Sequence, residues 1–81
     1  MMIYPLTTER SIRLMEAENK LTFIVDLKAN KDEIKKEVEK LFKVKVIRVT
    51  TTILPSAKKK AYVTLSPENP AMDIATKLGL M

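Results

Sequence analysis

The sequence predicts an α+β fold: an antiparallel sheet of three to four strands with helices packed on it. Three observations carry that prediction. Leu21, Phe23, Val25 and Leu27 alternate with Thr22, Ile24 and Asp26, the period-two pattern of a strand. Ile34, Val38, Leu41 and Phe42 recur at i, i+4, i+7 and i+8, the spacing of one helix face. The 81 residues are 46% hydrophobic and 31% charged, which suits a single small domain over 1–81 rather than a disordered basic tail.

The elements follow in the order αβαββα, with room for a short strand near Ile3. Pro5 pushes its predecessor toward extended backbone, so the chain enters as an extended segment. Thr7 or Thr8 offers an N-cap for a helix over 9–17, with Glu9 in its first turn, where the helix dipole favours an acid. Ile12 and Met15 make its apolar stripe. A strand over 20–28 comes next, its Leu21 set facing a core. Asn30 and Glu33 form a capping box that opens a helix over 31–42.

Residues 44–53 are rich in β-branched side chains and read as a strand. Val44 and Val46 fall on one face, and Ile47, Val49 and Ile53 on the other, so both faces of this strand expect cover. Pro55 interrupts the run, and residues 58–65 resume it, which makes 44–65 a hairpin. Asn69 then caps a C-terminal helix with Pro70 at its first position. Ala71, Ile74, Ala75 and Leu78 form the apolar side, and Gly79 ends it.

Composition excludes much chemistry. The chain has no His and no Cys, which removes disulfides, thiol nucleophiles, thiolate metal sites and His-based triads. Its one Gly, Gly79, leaves no glycine-rich phosphate loop. The carboxylates form no compact pair: Asp32, Glu33, Glu37 and Glu39 have helical spacing and basic neighbours. No catalytic residue, metal site or cofactor is expected. The longest run free of charge, residues 49–57, is nine residues long, far short of the ~20 that cross a bilayer. No leader or direct membrane insertion is expected, and the reading is a soluble intracellular protein.

The net charge of +5 is unevenly placed. Residues 1–30 and 31–42 are each neutral. Residues 43–60 carry Lys43, Lys45, Arg48, Lys58, Lys59 and Lys60 without one acid. Strand periodicity sets Lys58, Lys60, Tyr62 and Thr64 on one face, and Lys59, Ala61, Val63 and Leu65 on the core face. Cations beside an aromatic ring suit nucleic acid, since Lys binds phosphate and a ring stacks on a base. Lysines on an edge also block aggregation, but a merely solvated face mixes signs, as residues 31–40 do. Thr51, with its neighbours Thr50 and Thr52, can donate a hydroxyl to phosphate or ribose. Arg10 and Arg13 stand beside Glu9 and Glu16. Lys20, Lys31 and Lys35 complete the candidate RNA-contacting cations.

Several segments together make the chain resemble the universal large-subunit ribosomal protein twenty-three family, in its short archaeal form. They are Pro5-Leu6-Thr7-Thr8-Glu9-Arg10, Asn19-Lys20-Leu21-Thr22-Phe23-Ile24-Val25, Ala29-Asn30-Lys31, Leu41-Phe42-Lys43-Val44-Lys45-Val46, Lys59-Lys60-Ala61-Tyr62-Val63 and Ala71-Met72-Asp73-Ile74-Ala75. The resemblance implies a non-enzymatic constituent of the cytoplasmic large ribosomal subunit. It would bind large-subunit ribosomal RNA near the polypeptide tunnel exit, beside neighbouring ribosomal proteins. It would also help form a docking surface for the signal recognition particle and the protein-conducting channel. The fold implied is a sheet between helices.

The family's Thr-Glu-Lys motif matches Thr8-Glu9-Arg10. This implies an RNA-facing role for Arg10 and a factor-docking role for Glu9. Where the family often has Val-Asn-Thr, this chain has Val49-Thr50-Thr51, so an amide contact to RNA is not implied. The loop at 54–58 is too short to line the tunnel as the longer bacterial hairpin does. Two other classes compete. One is a free-standing RNA-binding module, which needs exposed aromatics on central strands. The other is a small acyl-phosphate hydrolase on a similar scaffold, which needs a phosphate-cradling loop the sequence lacks.

Overall fold

The computed structural model describes residues 3–77. Its elements are β1 (Ile3–Pro5), α1 (Glu9–Glu18), β2 (Lys20–Val25), α2 (Lys31–Phe42), β3 (Val46–Ile53), β4 (Lys59–Leu65) and α3 (Ala71–Lys77). The four strands form one antiparallel sheet in the order β1-β2-β4-β3. The predicted αβαββα order is present, and the short strand near Ile3 is formed.

Local chemistry starts both long helices. Thr8 caps α1: its hydroxyl accepts from the Ser11 amide at 3.1 Å, and the Ser11 hydroxyl accepts from the Thr8 amide at 2.7 Å. Asn30 caps α2, accepting from the Glu33 amide at 2.8 Å, while Glu33 accepts in return from Asn30. Each reciprocal pair satisfies amide groups that a helix start leaves without partners. Asn19 and Lys43 end α1 and α2 in the left-handed conformation, at φ 56° and 54°.

The core lies on one face of the sheet. Leu21, Phe23 and Val25 of β2 join Ala61, Val63 and Leu65 of β4 and Val46 and Val49 of β3. All three helices contribute to it: Met15, then Ile34 and Val38, then Ala71, Ile74 and Ala75. Phe42 stacks on Phe23, centroids 5.8 Å apart, and closes the end of α2 over the core. The contact row of α2 is therefore Ile34, Val38 and Phe42. Leu41 sits off that row and is exposed.

Four expectations need correction. The strand from Lys20 ends at Val25, which pairs with Ile3 on one side and, on the other, with Lys59, where β4 begins. Asp26 then starts a turn closed by the Ala29 amide at 3.0 Å, and Leu27 is exposed rather than buried.

Second, β3 begins at Val46, where Glu39 of α2 accepts the Val46 amide at 3.1 Å. A β-bulge between Val46 and Arg48 follows. It inserts one residue, so Val46 and Val49 face the same core, opposite Leu65 and Val63. Ile47 is left exposed at 56%. The two-sided apolar pattern of β3 thus records a change of parity within the strand. Ile53 shares the core-side parity, at the far end of β3, yet is 68% exposed.

Third, β4 begins at Lys59. The five-residue connection closes through the Leu54 amide on the Lys58 carbonyl at 2.8 Å, with Ala57 left-handed at φ 59°.

Fourth, Asn69 does not cap α3. Its side chain accepts from the Lys45 amide at 2.9 Å. The cap comes from far away in sequence: the Asn19 side-chain oxygen accepts from the Ala71 amide at 2.6 Å. The Asn19 amide group faces the carbonyls of Leu65, Ser66 and Asn69 at 3.1–3.2 Å. Asn19 thereby ties together the ends of α1 and β4 and the start of α3. Pro70 precedes the first helical residue, and its carbonyl accepts from Ile74. Leu78 and Gly79, expected to finish this helix, lie outside the described residues.

Candidate nucleic-acid interface

Antiparallel register sorts the strand residues into two sets. Opposite the core, three cross-strand rows form an outer face. The first is Tyr4, Ile24, Lys60 and Thr52; the second is Thr22, Tyr62 and Thr50; the third is Lys20, Thr64 and Arg48. None of these ten residues is acidic. Thr22 and Ile24 are buried, at 5% each, in the middle of the face. Their neighbours are half-buried or exposed.

Two lysine–tyrosine pairs mark the end of this face near the hairpin loop. The Lys58 ammonium donates to the Tyr4 hydroxyl at 3.1 Å and stands 5.7 Å from its ring centroid. The Lys60 ammonium stands 5.9 Å from the Tyr62 ring. A cation at this distance is drawn to the negative face of a ring, which holds both long side chains over the sheet. The face presents charge and flat apolar area together.

Helix α1 borders the same face. Arg10, Leu14 and Glu18 line a cavity of about 480 Å³ with Lys20, Thr52 and Tyr62. Glu18 is the acid at its rim, and accepts from Lys20 at 3.3 Å.

The sequence-predicted residues separate accordingly. Arg10, Lys20, Arg48, Lys58, Lys60 and Tyr62 gather on or beside the outer face. Thr51 does not: the bulge turns it toward the core side, opposite Ala61, and turns Thr50 and Thr52 outward. Lys59 also belongs to the core side, where its ammonium donates to the Ala29 carbonyl at 2.7 Å. Arg13 pairs with Glu9 at 2.7 Å, both side chains largely exposed, an ion pair of little energetic weight. Glu9 stands exposed at the start of α1. Lys31 and Lys35 are exposed on α2, which packs on the other face of the sheet. Lys43 and Lys45 lie in the exposed turn between α2 and β3.

Tyr4 is an outer-face residue that sequence reasoning did not single out as a contact, whereas Thr50 and Thr52 were offered with Thr51 as hydroxyl donors and Thr64 was set on the same face as Tyr62. Tyr4 becomes readable only when β1 is known to pair with β2. The threonines become readable once the bulge is placed. Among the described residues, no group of acidic side chains is arranged to hold a metal ion, and no helix is long and apolar enough to cross a membrane.

Residues 1–72 match the sequence model of the family described as Ribosomal protein L23. The chain is 51% identical over 78 residues to the Large ribosomal subunit protein uL23 of Trypanosoma brucei brucei. That match covers 96% of this chain and 48% of the trypanosome protein, so the chain spans about half the length of the curated relative it matches. The family match covers nearly the whole chain, and the chain belongs to the ribosomal protein L23 family.

Proposed function

We propose that the chain is a structural constituent of the large ribosomal subunit, and that it holds large-subunit ribosomal RNA on the outer face of its sheet. The acid-free face with its two lysine–tyrosine pairs carries this reading. Phosphates meet Lys20, Arg48, Lys58, Lys60 and Arg10, and threonine hydroxyls reach ribose and phosphate oxygens. The work is binding rather than catalysis. The family resemblance supports a position at the tunnel exit of the cytoplasmic subunit, among neighbouring ribosomal proteins. In the same reading, exposed Glu9 belongs to a surface where the signal recognition particle and the protein-conducting channel dock.

If about five cations neutralise phosphates, log affinity falls with log salt at a slope of roughly −4 to −5 on paired RNA. The double variant K58E/K60E lowers affinity for ribosomal RNA by about a hundredfold while keeping the fold. K59E acts differently, because Lys59 is spent on the Ala29 carbonyl: it lowers thermal stability. Gradient sedimentation reads the first effect as loss of the protein from the large subunit. Undiminished co-migration of K58E/K60E at moderate salt overturns the assignment of the face.

One observation favours a second reading, a free-standing RNA-binding module. Tyr62 lies half-buried on β4, a central strand, on the non-core face. That module would bind short single strands tightly and would not sediment with the large subunit.

A further inference from the structure

The cavity between α1 and the outer face differs in kind from the rest of that face. It is concave, about 480 Å³, within the roughly 300–1,000 Å³ of clefts that enclose a small ligand. Its lining joins an aromatic residue, Tyr62, and the apolar Leu14 to Arg10, Lys20, Thr52 and Glu18. A surface built only to neutralise phosphates gains nothing from a carboxylate beside its lysines. A site that reads a base does gain from one. Bases carry amino and imino hydrogens on their pairing edges, and a carboxylate accepts from them.

We propose that this cavity takes one unpaired nucleotide, with its base stacked on Tyr62 and its pairing edge toward Glu18. The inference rests on the RNA-binding reading above and adds the form of RNA recognised. Such an edge is free only when the base is splayed out of a helix, as in a bulge or loop. Arg10 and Lys20 take the flanking phosphates, and the Thr52 hydroxyl faces the sugar. The Glu18 carboxylate stands 3.3 Å from the Lys20 ammonium, with about half of its side chain exposed to a ligand.

Base identity follows from donor count. Guanine offers two adjacent N–H donors on its pairing edge, matching the two oxygens of a carboxylate. Uracil offers one donor between two carbonyls, which a carboxylate repels. The cavity therefore prefers guanine to uracil.

The test uses three short RNA hairpins of equal length: fully paired, with one bulged guanine, and with one bulged uracil. The chain has no Trp, and Tyr4 and Tyr62 are its two tyrosines, so in the Y4F variant tyrosine emission comes from Tyr62 alone. The bulged guanine is expected to bind about tenfold tighter than the paired hairpin, a gain typical of one stacked base, and to quench Tyr62 emission. E18Q is expected to narrow the guanine-over-uracil preference severalfold, while any gain from removing one negative charge beside Lys20 is shared by all three hairpins and cancels in that ratio. Y62F retains the gain from the bulge, and Y62T loses it.

Equal binding of all three hairpins, within about twofold, overturns the cavity while leaving RNA binding by the face intact, provided the affinity is salt-dependent. Failure to bind any hairpin overturns both. Should Y62T fold poorly, E18Q and the emission of Y4F decide the matter alone. An unchanged guanine preference in E18Q, or a tighter complex with no quenching, counts against the proposal.

Discussion

At the scale of single residues, two side chains work against expectation for their type. Thr22 sits on the outer parity of β2, yet its hydroxyl is buried without a partner. A buried hydroxyl that has lost water and gained nothing costs stability, whereas a methyl in its place does not. T22V keeps the β-branched shape and is expected to raise stability by about 1 kcal/mol, read as a higher thermal midpoint. Asn19 is the opposite case, with every polar atom of its amide engaged and its backbone left-handed at φ 56°. N19D keeps an acceptor for Ala71 but sets a carboxylate against three carbonyl oxygens. Its expected cost is about 2–4 kcal/mol by chemical denaturation, more than N19G, which keeps the backbone free. Neither role was visible in sequence. Capping over a separation of 52 residues has no local signature, and Asn69 offered a plausible cap next to Pro70.

At the scale of elements, α1 and α2 were legible to within a residue or so, because their start signals are local. Asn30 and Glu33 make α2 wherever the rest of the chain lies. The strands were less legible at their ends and in their facing. A strand ends where its partner ends, and Val25 lies opposite Lys59, where β4 begins. The bulge after Val46 reversed the parity of everything downstream in β3. This is why Thr51 lies on the core side while its neighbours Thr50 and Thr52 face outward. β4 has no bulge, and its division into Lys60, Tyr62 and Thr64 against Ala61, Val63 and Leu65 held throughout. The end of α2 supplies a prediction at this scale. Lys43 is a left-handed residue at a helix C-terminus, where glycine carries no Cβ penalty. K43G is expected to stabilise the fold by about 0.5–1 kcal/mol, raising the thermal midpoint by several degrees. If Lys43 also touches RNA, the same variant binds less tightly while melting higher, and comparing the two measurements separates the roles.

At the scale of the whole molecule, the charge excess that sequence placed in residues 43–60 is divided by the fold. Lys59 is turned to the core side and hydrogen-bonded, Lys43 and Lys45 lie in a turn, and only Lys58, Lys60 and Arg48 reach the outer face. Lys20 and Arg10 join them from segments that are neutral in sequence. Segment arithmetic thus located the charge in one hairpin and could not divide it between the faces, which requires strand order. A charge-reversal contrast reads this division. K31E/K35E on α2 alters RNA affinity mainly through long-range attraction, which salt screens beyond about 8–10 Å. Its expected loss is a fewfold at moderate salt, set against the hundredfold loss of K58E/K60E in the same binding assay. A comparable loss from both would give α2 a direct contact with RNA.

The link from Asn19 to the start of α3 also fixes an order of events. The seven described residues of α3 make too few hydrogen bonds to offset helix nucleation, so this stretch does not hold a helix by itself. Its missing cap arrives only after β2 and β4 have paired and brought Asn19 beside Ala71. Formation of α3 is then a late step in folding, on the native side of the main barrier. Changes at Asn19 accordingly hasten unfolding and leave the rate of folding nearly untouched.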